Sequence, residues 1–346
     1  MPVSQEQRAA WEAFRPLIDI VRGHALAVSS WSSAATATGA YLAVCAYLGL
    51  DPVPPRGIPD TTLCAFITYL TVKKYSFVAI NNYLSMGPRI LSLRILSSWI
   101  SIKDRPMVQL ILSGAKRLLG TTSSGKLPIT LPMLTDMLRA LDDSILSKLL
   151  TAAALVAFWA GLRKSNITVK SYKLPGHCIK RQDITFAPSG RASFTSNSSK
   201  NNQFRAYKHV VQLPLFQASD PAYSLCPSRA LRILYADPLC AGLPGTAPAI
   251  SYMRAGRVVP LTHDQLIRFV KTSLSRMGFD PSNYAGQSFR KGFGTLGHQA
   301  GLSDAAIQNI GDWHSSVFQR YIFKDPAEQL AAVSQLTTYA NDHVIL

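Results

Sequence analysis

Acidic residues are scarce in this chain: 19 Asp and Glu stand against 36 Lys and Arg in 346 residues, a formal net charge of +17. With 47% hydrophobic and 16% charged residues the chain has the composition of a folded protein, so an acidic disordered tail is excluded. An excess of cations inside a folded composition points to a phosphate-rich partner, nucleic acid first and an anionic membrane second. Charge does not choose between them. Cysteine is sparse too, and Cys45, Cys64, Cys178, Cys226 and Cys240 show no C-x-x-C spacing. Neither a disulfide framework nor a zinc ribbon is indicated, and a reducing compartment is expected. The histidines His24, His177, His209, His263, His298 and His343 lack ligand spacing, so no metal site is expected. Long apolar runs are missing: Leu149 to Leu162 falls short of the ~20 residues that span a bilayer. The first residues, MPVSQEQRAAWEAFRPL, lack the basic and apolar regions of a signal peptide. The expectation is a soluble intracellular protein with no membrane partner.

What is present is helical periodicity. From Trp31 to about Leu119, segments such as SAATATGAYLAVCAYLGL and SFVAINNYLSMGPRILS carry apolar residues at three and four spacing. Four or five short helices are predicted, with Ser33 as a cap and Pro52, Pro54, Pro55 and Pro59 breaking the chain after the first. GTTSSGKLP, residues 120–128, has no apolar period and reads as a linker. Beyond it, ITLPMLTDMLRALDD and SILSKLLTAAALVAFWAGL predict two helices, the second apolar on nearly all sides and therefore buried. Three β-prone runs follow, Asp183 to Phe186, Arg191 to Thr195 and Tyr207 to Leu213, which predict a small three-stranded antiparallel sheet. After Pro221 helical spacing returns, through SRALRILYA, THDQLIRFVKTSLSRMG, SFRKGFGTLGHQAG, SDAAIQNIGD and HSSVFQRYI, to a closing amphipathic helix, PAEQLAAVSQLTTYA. The fold class expected is mainly α with a small antiparallel β-sheet, in two domains: an N-terminal arm (1–24), a helical domain (25–119), the linker, a mixed α/β domain (129–325) and a C-terminal helix (326–346).

The chemistry concentrates in the second domain. Between Gly161 and Val210 ten Lys or Arg face one acid, Asp183, a density that implies a surface tracking phosphates. Arg163 follows the buried helix, where it can present a fork of donors to a phosphate. Gln287 and Arg290 stand three apart on a predicted helix, and Trp313 and Tyr321 follow. Arginines, a lysine, an indole donor and a phenol form a set suited to phosphoryl transfer.

Four ordered motifs carry a resemblance: G-L-R-K-S-N at 161–166, S-K-N-N-Q-F-R at 199–205, G-Q-S-F-R-K-G at 286–292, and G-D-W followed by R-Y-I within 311–322. Over about residues 25–340 the chain resembles the tyrosine recombinases, of phage-integrase type. Its wording, including Cys226-Pro227-Ser228-Arg229-Ala230, is most similar to the recombinases of DIRS-group retrotransposons and their Crypton relatives. The resemblance implies a helical core-binding domain and a catalytic domain that clamp double-stranded DNA. It also implies a site-specific recombinase or integrase of a mobile element, acting through a 3′-phosphotyrosyl intermediate and a Holliday junction without ATP, metal or other cofactor. Tyr321 would be the nucleophile, Arg163 and Arg290 the phosphate clamps, Lys200 the general acid and Trp313 an N–H donor. Lys164, Lys170, Lys173, Arg205, Lys208 and Lys291 would contact DNA.

The resemblance further implies a homo-tetramer on DNA, with the free chain a monomer or dimer and the terminal helix, with Leu330, Val333 and Leu336 at three-residue spacing, docking on a neighbour. The location implied is nuclear for a eukaryotic host and otherwise cytoplasmic, at the nucleoid. Two departures stand out. Gln287 occupies the family's usual His position and cannot titrate, and Asn166 stands where many bacterial members carry an acid. His314 is a substitute for the missing imidazole to be weighed. A type IB topoisomerase-like enzyme and a catalytically impaired DNA-binding relative are the alternatives.

Overall fold

The computed structural model describes residues 28–94, 101–120, 125–171, 178–196, 208–313, 318–319 and 322. The chain divides into two compact units, Met1–Ser123 and Ser124–Leu346. The arm at 1–24, the terminal helix at 326–346 and most of HSSVFQRYI lie outside the described residues.

The first unit holds four described helices, α1 (Val28–Leu48), α2 (Asp60–Val72), α3 (Phe77–Arg94) and α4 (Pro106–Leu119). Two of them are longer than the sequence pattern predicts: α1 runs 21 residues and α3 runs 18, with Pro88 inside it. Ser33 accordingly lies within α1 and does not cap it. The proline-rich stretch falls between α1 and α2 as expected. Tyr41, Phe66, Ile67, Ile80, Leu84 and Val108 form the core, with Tyr41 set edge-on to Phe66 at 5.3 Å. Arg105, buried at the start of α4, ties that helix to α2: Nη1 reaches the Asp60 carboxylate at 2.5 Å and the Ile58 carbonyl at 3.0 Å.

The second unit is built around α6 (Ile145–Trp159), whose Ala- and Leu-rich surface is buried along nearly its whole length. Asp142 and Ser144 start it: the Asp142 carboxylate accepts from the Ser144 amide at 3.1 Å, the Ser144 hydroxyl at 2.6 Å and the Ser147 hydroxyl at 2.5 Å, and Ser144 Oγ caps the Ser147 amide. Around α6 lie α5 (Leu131–Arg139), the one-turn α7 (Lys164–Ile167), α8 (Pro227–Ala236), α9 (Pro238–Ala241), α10 (His263–Arg276), α11 (Ser288–Gln299) and α12 (Asp304–Gly311).

The predicted sheet is present as β1 (Ile184–Phe186), β2 (Ala192–Ser196) and β3 (His209–Gln212), antiparallel in that order, with Phe194 opposite both Ile184 and Val211. Phe194 and Val211 are buried, and Ile184 with them, which fixes one face of the sheet on the core. A second hairpin contradicts the expectation of uninterrupted helix after Pro221. Strands β4 (Ser251–Arg254) and β5 (Arg257–Pro260) pair antiparallel across a turn at Ala255 and Gly256, both at positive φ. Four residues per strand give alternation too little length to stand out, although the tight two-residue turn is the hairpin type that matches strand twist. All five cysteines are free thiols. No described helix is long and apolar enough to cross a membrane.

Candidate active site

The site grows from the end of α6. Gly161 adopts φ +54°, its amide bonds the Phe158 carbonyl at 3.1 Å, and the next amide, Leu162, bonds the Ala157 carbonyl at 2.9 Å. This paired closure around a left-handed residue is a Schellman stop, and it turns the chain so that Arg163 leaves the core at the cap of α7. Arg163 is half-buried and Lys164 exposed.

Arg290 approaches the same turn from α11. Its side chain is buried, its Nη1 donates to the Gly161 carbonyl, and its guanidinium lies 3.8 Å from the centre of the Trp313 ring. Trp313 reaches that place because α12 ends in a left-handed Asp312, with the Trp313 amide bonded back to the Gln308 carbonyl at 3.0 Å. The indole is stacked on Phe293 at 6.2 Å and an interplanar angle of 13°, and touches Phe318. Gly311 makes room for it, since a Cβ there would come within 1.9 Å of the ring. Phe293 in turn fills the space beside Gly161, where a Cβ would meet it at 2.7 Å. Phe293, Ile307, Trp313 and Phe318 form a small apolar cluster of their own, and the planar cation of Arg290 lies on its indole.

Gln287 is exposed at the cap of α11 and makes no side-chain capping bond. The helix proper begins at Ser288, and Gln287 is exposed while Arg290, three residues on, is buried. The aliphatic stem of Lys164 lies against Gly286, beside Gln287, with a side-chain carbon 2.7 Å from the position a Cβ would take. Two adjacent pairs, Arg163–Lys164 and Gly286–Gln287, are thereby brought together. Lys170 and Lys208 are exposed. Lys291 is half-buried with its ammonium 3.1 Å from the Cβ position of Gly125, and burial pushes its pKa down. Tyr321, Lys200, Arg205, Lys173 and His314 lie outside the described residues.

The sequence pattern gave no role to two histidines that the fold uses. His209, at the start of β3, sits with Nε2 3.3 Å from the Ile310 carbonyl, joining the sheet to the end of α12 just before Trp313. His263, at the start of α10, faces Thr168 at 2.7 Å. Neither has a local signal, because each partner is about a hundred residues away in sequence. Among the described residues no cluster of His, Cys, Asp and Glu could hold a metal ion.

One turn thus carries Arg163 and holds Arg290, whose guanidinium lies on the Trp313 ring. The fold is that of the tyrosine recombinases and integrases. It is 28% identical over 228 residues, 64% of its own length, to an integrase/recombinase xerD homolog of Selenomonas ruminantium, and spans 62% of that relative. A lambda integrase dimer bound to a COC′ core site matches with a TM-score of 0.55 and 15% identity, over 89% of this chain and 93% of that one. The Tn1549 transposon integrase in complex with transposon right end DNA matches with a TM-score of 0.53 and 15% identity, over 82% of this chain and 86% of that one. No family model matches the sequence.

Proposed function

We propose that the protein is a site-specific DNA recombinase or integrase of a mobile element, of the DIRS or Crypton kind, which cuts and rejoins duplex DNA. The observation that carries this reading is the Gly161 turn, to which Arg290 is bonded and from which Arg163 emerges. Two guanidiniums so placed meet the charge that develops on a phosphoryl group in its transition state, with no reorganisation at the moment of reaction. The integrases of similar fold named above were both solved on DNA, which agrees with a DNA substrate.

In this reading the Tyr321 phenol loses its proton to solvent as its oxygen attacks the phosphorus, the bond to the 5′-oxygen breaks, and Lys200 gives that oxygen its proton. The bond energy is kept in the 3′-phosphotyrosyl ester, so neither ATP nor a metal is called on. A free 5′-hydroxyl of the partner strand then reverses the step, and paired exchanges pass through a Holliday junction in a tetramer. Trp313 supports the Arg290 guanidinium from beneath and Lys164, Lys170 and Lys208 track the flanking backbone, with Lys173, Arg205 and Lys291 assigned to the same task. The place of action is the nucleus if the host is eukaryotic.

Gln287 favours a second reading. An exposed amide at the position where the family resemblance implies an imidazole cannot move a proton, so the chain would be a slow enzyme or a binding protein. A nicked suicide duplex, drawn from a library of mobile-element ends and analysed on denaturing gels, separates the readings. A covalent adduct in the wild type that is absent from Tyr321→Phe, and faster in Gln287→His, is the expected result. Binding with no adduct in any form would establish the impaired relative. A single protomer that nicks and rejoins DNA, by mass on DNA, would instead establish a type IB topoisomerase-like enzyme.

A further inference from the structure

The segment after α7 and the start of α10 run side by side. The Val169 amide bonds the Leu261 carbonyl at 3.1 Å and the His263 amide bonds the Val169 carbonyl at 2.8 Å. This register sets Thr168 against His263, with Thr168 Oγ1 2.7 Å from Nδ1. The same hydroxyl donates its proton to the Lys164 carbonyl at 2.8 Å. A threonine hydroxyl has one proton, so toward His263 it can only accept. Nδ1 must therefore carry the imidazole proton, and in the neutral ring Nε2 is left a bare acceptor. Among the described residues Nε2 has no hydrogen-bond partner.

The charged groups acting on this ring are Lys164, Lys170 and, on its own helix, Asp264. Burial comes first in holding its pKa below the ordinary histidine range, the Lys164 charge adds to this, Asp264 opposes them, and Lys170 adds the smallest push downward. Lys170 and Lys164 are exposed, and Lys164 reaches along Gly286 toward the site described above. The Lys164 and Lys170 charges act on an imidazole whose Nε2 can donate only when the ring takes a second proton. That arrangement repels cations and suits one oxyanion that supplies the missing charge.

We propose that His263, Lys164 and Lys170 form a subsite for one backbone phosphate of duplex DNA, in which His263 engages only in its doubly protonated form and Thr168 is the positioning residue that enforces this. The subsite rests on the DNA-binding reading above. A phosphate beside the ring raises its proton affinity, so binding takes up a proton. The contribution of His263 to affinity is full below the free-state pKa and vanishes above the bound-state one.

The test is the dissociation constant of a 30-base-pair duplex of random sequence at constant ionic strength between pH 6 and 8, for wild type, His263→Gln and Thr168→Val. Wild-type binding should tighten as the pH falls, by about tenfold for each unit by which the phosphate raises the imidazole's pKa. His263→Gln, whose amide donates at every pH, should lose that dependence. Thr168→Val keeps the ring but frees its tautomer, so the neutral form can place its proton on Nε2, and the dependence should shrink. Equal pH dependence in wild type and His263→Gln overturns the subsite while leaving the DNA-binding reading intact. Absence of binding by the wild type at every pH overturns both.

Discussion

A buried guanidinium holds its place only where its donors and its flat faces are met, and Arg290 has the Gly161 carbonyl at one end and the Trp313 ring beneath it. The quality of that seat depends on a residue with no side chain. Gly161→Ala would set a Cβ 2.7 Å from Phe293 at a φ that L-residues avoid, so it should lower the unfolding free energy by about 1–3 kcal/mol. Thermal melts check the stability, and DNA cleavage should fall with it because Arg163 and Arg290 both hang on that turn. At Asp142, three hydrogen bonds from Ser144 and Ser147 hold the carboxyl down to about 2. A depressed carboxylate pKa stabilises the fold above its unfolded value, near 3.8, and the contribution is lost as the pH falls through about 2. Acid unfolding of Asp142→Asn should therefore be flatter between these values than that of the wild type. His263 works the other way: its pKa is lowered on folding, so the unfolded chain binds protons more readily and free-protein stability drops as the pH falls below about 6.5. Saturating DNA should remove part of that drop, read as the unfolding midpoint with and without duplex. Much of this scale was legible: Arg163, Gln287, Arg290 and Trp313 all stand out as motif residues. That Gln287 is exposed and Arg290 buried was not, since spacing along a helix says nothing about where the helix starts. His263 carries no signal in the sequence, because its partner Thr168 is a neighbour only through the fold.

Elements were legible in proportion to their length. The buried helix α6 announces itself by being apolar on all sides, and β2 by Phe194 between polar neighbours. The hairpin β4–β5 did not, being four residues on a side, and α1 ran through Ser33 because tertiary packing of Tyr41 and Val44 on the unit's core outweighs a local capping preference. The hairpin carries a testable oddity. Arg254 and Arg257 are directly opposite and exposed, a pairing of like charges that weakens a two-stranded ribbon. Arg257→Glu should stabilise the free protein by roughly 0.2–1 kcal/mol, measured by denaturant titration.

For the whole molecule, the charge of +17 predicts how binding responds to salt. If six phosphates are neutralised, affinity should fall by about 10³ between 50 and 200 mM salt, and each lysine removed from the tracking surface should lower the slope of log K against log salt by about 0.9. The division into two units falls within residues 120–128, which lack an apolar period, although Leu127 near its end packs on the second unit's core with its amide bonded to the Asn283 carbonyl at 2.8 Å. Binding, however, is shared by an enzyme and by a relative that has lost its chemistry, so the decisive quantity is a rate. The single-turnover cleavage rate of a suicide duplex by Arg163→Ala, with affinity measured on the same DNA, tests the site most directly. Arg163 is half-buried at the cap of α7, whereas Arg290 is buried on the Trp313 ring. Cleavage is predicted to slow by about 10²–10³ while affinity changes by less than about tenfold. Cleavage at the wild-type rate by DNA-bound Arg163→Ala would contradict the account.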